Sequence, residues 1–194
     1  NYIHHTGIYY KQGAGIWLTG VGNRASHNLI HDGPRFGVYF LGQNLVVEYN
    51  HIRNVLLETD DGGVIYTYQV DWLGSRGSKV RYNYCHDSLG WGFDSGVRDV
   101  PCMGYGIYLD GFTSGVDVIG NIVAHTSGAG LLLNGGSHNW VSNNVIYECN
   151  HPAGSPQGGN QQVDLTGYPT NNSYWTSYVN GYNTGYYSVI NQPE

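Results

Sequence analysis

The 194-residue chain holds 30 glycines and 18 tyrosines, only 11% charged residues, and a formal net charge of −6 from 14 acidic and eight basic side chains. Nucleic acid and anionic lipid both require a basic footprint, so neither is expected as the main partner. An aromatic content of 14% excludes a disordered chain, and the length suffices for one domain with a sizeable core.

The chain opens on Asn1-Tyr2-Ile3-His4. The same Asn-x-apolar-x unit returns as Asn28-Leu29-Ile30-His31, Asn50-His51-Ile52-Arg53, Asn83-Tyr84-Cys85-His86, Asn121-Ile122-Val123-Ala124 and Asn144-Val145-Ile146-Tyr147. A second unit, glycine followed by alternating apolar residues, reads Gly15-Ile16-Trp17-Leu18, Gly37-Val38-Tyr39-Phe40, Gly63-Val64-Ile65-Tyr66, Gly106-Ile107-Tyr108-Leu109 and Gly130-Leu131-Leu132-Leu133. Short strands repeated at this interval, with turns between and no amphipathic helical segment, are the signature of a parallel β-solenoid. The expected fold is all-β, a right-handed parallel β-helix of about six coils over residues 1–150. At a turn, each asparagine amide can bond the same amide one coil on, as in stacked parallel strands. Residues 151–194 depart from the repeat and are expected to form a degenerate coil, a loop or a C-terminal extension. No stretch is apolar enough to span a membrane.

One coil, from Gly63 to Gly106, is much longer than the others. Its extra length falls at Tyr68–Gly77 and Asp87–Tyr105, and solenoid insertions become loops on one face, often the binding face. Strand alternation turns Ile107 and Leu109 inward and Tyr108 and Asp110 outward. Matching Ile65-Tyr66 to Ile107-Tyr108 puts Tyr66 and Tyr68 outward beside them. An external row of Trp17, Tyr39, Tyr66 and Tyr108 then follows. It either presents aromatic surface to sugar rings or forms a second core under the loops.

Acids cluster on the long coil: Glu58, Asp60, Asp61, Asp71 and Asp110. Glycoside hydrolysis needs two carboxyl groups roughly 5 to 9.5 Å apart, a range that neighbouring solenoid rungs supply at about 4.8 Å each. Asp110 is the first candidate. Asp71, three residues past Tyr68, is the favoured partner on spacing. Asp61 reaches Asp110 only if the chain bends at Gly62-Gly63, and Asp60-Asp61-Gly62-Gly63 also reads as an ordinary turn. His4, His31 and His86 share one repeat position, which Arg53 occupies between them, and a structural ladder is favoured there over a metal site. Cys85, Cys102 and Cys149 have no metal-type spacing and allow at most one bridge.

The segments "ETDDGGVIYTYQVDW", "RYNYCHDSLG", "GIYLDGFTSGVDVIGNIV" and "GGSHNWVSNNVIYEC" resemble the core of the pectate-lyase-like superfamily of right-handed parallel β-helix proteins. Within it they look closest to the glycoside hydrolases of the xylanase and α-L-fucosidase kind. The resemblance covers residues 1 to about 150. It implies an extracellular or periplasmic carbohydrate-active enzyme that degrades plant-type polysaccharide, with Asp61, Asp71 and Asp110 as candidate acids. Tyr66, Tyr68, Trp72, Tyr108, Tyr39, Trp17 and Arg76 are then expected to bind substrate, with no cofactor. The chain departs from that family at Gly111, where a second acid is common, and at Gln69-Val70-Asp71-Trp72, where Gly-Arg-Asp-Trp is common. Beginning within a coil, it reads as a piece of a longer protein. Two alternatives stand beside the hydrolase. One is a polysaccharide lyase with calcium held by Glu58, Asp60 and Asp61 through hard oxygen ligands. The other is a non-catalytic glycan-binding or adhesin solenoid.

Overall fold

The structure is a computed structural model, and it describes residues 1–91, 93–94, 97–98, 101–149 and 163–164. Apart from Val163–Asp164, the segment 151–194 lies outside the described residues. Every helix or strand among the described residues is a strand, and none is a helix able to cross a membrane.

Each coil visits three parallel sheets in the same order. The first sheet stacks Tyr2–His4, Leu29–His31, His51–Arg53, Tyr84–Ser88, Ile122–Thr126 and Val145–Tyr147. The second stacks Ile16–Val21, Val38–Gln43, Gly62–Gln69, Gly104–Gly111, Leu131–Leu133 and Val163–Asp164, and the third Arg24–Ser26, Val46–Glu48, Lys79–Arg81, Asp117–Ile119 and Trp140–Ser142. A small antiparallel hairpin, Phe93–Asp94 with Val97–Arg98, stands apart within the longer insertion. The chain is thus a parallel β-helix with six rungs in its first sheet, as the repeat implies.

Side chains of one repeat position pack on one another inside the tube. Ile30, Ile52, Cys85 and Val123 line the first sheet, Val38, Ile65, Ile107 and Leu131 the second, and Val47, Val80 and Val118 the third, all of them buried. Cys85, Cys102 and Cys149 are free thiols. Burial, and then the neighbouring Cys149, push the Cys85 thiol well above its ordinary value.

The asparagines form the expected ladder at the corner between the third and first sheets. Asn1, Asn28, Asn50, Asn83 and Asn121 each donate through Nδ2 to Oδ1 of the next, at 2.7 to 3.0 Å, ending on Asn144. The residue before each of five of these asparagines is left-handed: His27, Tyr49, Tyr82, Gly120 and Asn143, with φ between 52° and 67°. One such residue redirects the chain from one sheet to the next. The conformation is uphill for a residue with a side chain, so the hydrogen-bonded asparagine that follows must hold it. A second left-handed column closes the first sheet at His5, Asp32, Asn54, Asp87, His125 and Glu148.

The histidine column is structural as well. His4, His31, Arg53 and His86 occupy one register position. His4 and His31 stack at 5.3 Å, while His31 and His86 bond through Nδ1 to the carboxylates of Asp32 and Asp87 at 2.7 and 2.6 Å. On the third sheet, Glu48 is buried between Arg24 and Arg81. Burial alone would raise its carboxyl, but the Arg81 and Arg24 guanidiniums hold it below the usual carboxylate range. That stabilisation is present above the unfolded value and is lost as pH falls through the folded one.

Asn50 accepts from the Asn28 backbone and amide and donates to Asn83 and to the Ala25 carbonyl. Asn50→Ala leaves buried partners unsatisfied on both neighbouring coils and should cost about 3 kcal/mol, measured by urea unfolding. A loss below about 0.5 kcal/mol would show that the ladder does not hold the coils.

Candidate functional site

The two eight-residue strands, Gly62–Gln69 and Gly104–Gly111, lie side by side and build the site. Their register pairs Ile65 with Ile107, Tyr66 with Tyr108, Thr67 with Leu109 and Tyr68 with Asp110. The insertions leave the same coil on either side. One follows Gln69, and the other precedes Gly104 and is tied to the Asp60-Asp61 turn by Trp91 N–H to the Thr59 carbonyl (2.9 Å) and Gly62 N–H to the Met103 carbonyl (3.2 Å).

Trp17, Tyr39, Tyr66 and Tyr108 share one outward column. The rings lie against one another: Trp17 stacks on Tyr39 at 4.2 Å, Phe36 covers Tyr66 at 4.5 Å and 9°, and Tyr108 meets Tyr66 edge-on at 5.1 Å. Exposure falls from 55% at Trp17 to 5% at Tyr108. The column is therefore a second core at its Tyr108 end. Between these ends Tyr39 and Tyr66 are half-buried.

Asp110 is half-buried and held by three donors. Tyr66 O–H donates to Oδ2 at 2.8 Å, while Asn134 Nδ2 and the Gly111 N–H donate to Oδ1 at 2.8 and 2.7 Å. Gly111 itself is left-handed (φ 65°), and a Cβ there would run into the Gln69 carbonyl and the Tyr68 ring. That explains why glycine follows Asp110 in place of a second acid. Burial and then the Asp110 charge push the Tyr66 and Tyr108 phenols far above their ordinary value, so both remain neutral.

Asp61 comes into the field of Asp110. Burial, then the Asp110 charge, raise its carboxyl above the ordinary range, with Arg35 opposing. Asp61 lies on the solvent-facing rim, yet it is close enough to the packed tyrosines to lose hydration on that side. The approach depends on the bend at Gly62-Gly63. Asp61 is left-handed (φ 42°), a Cβ on Gly63 would meet Tyr108, and regular pairing pauses between Gly63–Tyr105 and Ile65–Ile107. Arg35 pins the turn by donating to the Asp60 and Asp61 carbonyls at 3.1 and 3.0 Å.

The other sequence candidates are engaged differently. Asp71 Oδ1 accepts the N–H groups of Leu73 and Gly74 at 2.8 and 2.7 Å, closing its own turn. Trp72 packs edge-on against Phe112 at 5.9 Å. Arg76 is exposed and donates through Nε to the Trp72 carbonyl at 3.0 Å. Tyr68 is partly exposed beside Gly111. Glu58 pairs with Lys11 at 2.8 Å, on a separate cleft of about 350 Å³ lined also by His5, Ile8, Asp32 and Pro34. Among the described residues, no three His, Cys, Asp or Glu converge as metal ligands.

Asn134 escaped the sequence reading. It follows Leu133, which pairs with Leu109, and therefore stands one coil on from Asp110. Comparing Leu109-Asp110-Gly111 with Leu133-Asn134-Gly135 at the same repeat position is the signal that finds it. The site offers two neighbouring carboxyl groups, one fixed by donors and one with heightened proton affinity, against a wall of neutral phenols. No family model, curated protein or solved structure matches the chain.

Asp110→Asn removes a charge from beside Asp61. The Asp61 pKa should then fall towards, without reaching, the ordinary value, because burial persists. Carboxyl ¹³C shifts followed through a pH titration measure this, and an unchanged Asp61 midpoint contradicts the coupling. A raised carboxyl also lowers stability as pH rises from the unfolded value through the folded one, and this slope should shrink in the variant.

Proposed function

We propose that the protein is a carbohydrate-active enzyme of the pectate-lyase-like β-helix kind, a glycoside hydrolase acting outside the cytoplasm on neutral plant-type polysaccharide. The observation that carries this reading is the pairing of Asp61, whose proton is held more tightly than usual, with Asp110, whose two oxygens are fixed by three donors. Hydrolysis of a glycosidic bond requires such an unlike pair. Asp61 is the proton donor to the leaving oxygen. Asp110 is the anionic partner, acting on the anomeric carbon directly or through a water.

Charge supports the neutral substrate. With 14 acidic against eight basic side chains, the chain carries a formal net charge of −6, which disfavours a polyanionic chain such as a polyuronate. The calcium-dependent lyase gains no support, because Glu58 is paired with Lys11 and the Asp60 and Asp61 carbonyls are held by Arg35. The outward column of Trp17 and Tyr39 is the aromatic surface offered to sugar units beyond the scissile bond.

Asp61→Asn and Asp110→Asn should each lower turnover of xylan-type oligosaccharides about 10²- to 10⁴-fold with unchanged far-ultraviolet circular dichroism. Asp71→Asn should stay within about threefold of the parent. Cleavage of polygalacturonate only with calcium would replace the hydrolase by the lyase. Full activity in Asp61→Asn together with loss in Asp71→Asn would move the proton donor to Asp71.

A further inference from the structure

We infer that Asn134 and Tyr66 are positioning residues that fix the Asp110 carboxylate in one orientation. The inference rests on the two-carboxylate reading above.

The amide of Asn134 differs in use from the structural asparagines. Asn50, Asn83 and Asn121 each accept from a neighbouring backbone N–H and donate to a backbone carbonyl and to the next amide. Asn139 likewise bonds two backbone groups, the Val116 N–H and the Thr113 carbonyl. Asn134 sends its Nδ2 to a side-chain carboxylate, Asp110 Oδ1, at 2.8 Å, with the Tyr108 hydroxyl at 3.4 Å. Its own N–H is tied to the Leu109 carbonyl at 2.9 Å, so the amide is carried on the rung adjoining Asp110. Gly135 and Gly136, both left-handed, let the chain turn away at once against Thr113.

Tyr66 completes the clamp from the opposite rung. Its ring is fixed between Phe36 and Tyr108, and its hydroxyl meets Oδ2 at 2.8 Å. With Gly111 N–H and Asn134 on Oδ1, the carboxylate cannot rotate without breaking a bond on one neighbour or the other. Tyr66 accordingly acts through Asp110, in place of the substrate contact that the sequence pattern suggested for it.

The test compares Tyr66→Phe and Asn134→Leu, each of which removes one donor, with the parent and with Asp110→Asn. On xylan-type oligosaccharides, each is expected to lower kcat about 10- to 100-fold with KM within about threefold. Because both donors act on one group, the double variant should lose less than the product of the single losses. Crystal structures of the same variants read the donors without turnover, and the Asp110 carboxylate should leave its single orientation in each. An unchanged kcat and an unchanged Asp110 carboxylate in folded Tyr66→Phe and Asn134→Leu would overturn the positioning role while leaving the acid pair standing. Full activity in Asp110→Asn would overturn the acid pair, and the orientation of Asp110 in the other two variants would still decide whether the two side chains hold it.

Discussion

Two hydrogen-bonded strands stand about 4.8 Å apart, and in a solenoid this spacing governs every column of side chains. Amides at that separation bond amides, which is the Asn28-to-Asn144 ladder. The ladder in turn holds left-handed residues such as Tyr49 and Tyr82 at the corners. Aromatic rings at that separation pack on one another, as Trp17 does on Tyr39. The same distance that builds the tube therefore places Tyr66 under Tyr108 and Tyr68 beside Asp110.

An acid is uncomfortable on such a rung unless its neighbours supply donors, and here the coil on either side supplies one. Tyr66 reaches Asp110 from one coil and Asn134 from the other, with Gly111 closing the third direction. Burial, and then the negative charge so fixed, raise the phenols of Tyr66 and Tyr108 and the carboxyl of Asp61. Surface loops rarely hold a carboxylate in this way, whereas a rung holds it through both adjoining coils.

The repeat made the tube legible from sequence, because Asn-x-apolar-x and Gly-apolar alternation are direct imprints of stacking. It also gave the pairing of Ile65 with Ile107, on which the outward assignment of Asp110 depends. The proposed partner of Asp110 is harder to read. Spacing along a straight strand favours Asp71, but the chain bends at Gly62-Gly63 and brings Asp61 in, while Asp71 closes a local turn with Leu73 and Gly74. Turn chemistry and catalytic chemistry use the same residue types, so composition alone does not separate them. Asn134 was hidden for that reason, in a run of Asn-Gly-Gly that reads as a turn. The aromatic column was legible as a column, but the faces of its rings are covered by neighbours that only the packing shows.

The most direct measurement is a crystal structure of the Asp110→Asn variant with a xylan-type oligosaccharide bound. The expected result has a glycosidic oxygen within hydrogen-bonding distance of the Asp61 carboxyl, about 3 Å, with the residue-110 side chain beneath the anomeric carbon and sugar units extending past Tyr39 towards Trp17. An oligosaccharide seated in the Lys11–Glu58 cleft, or anywhere out of reach of both positions 61 and 110, would contradict it.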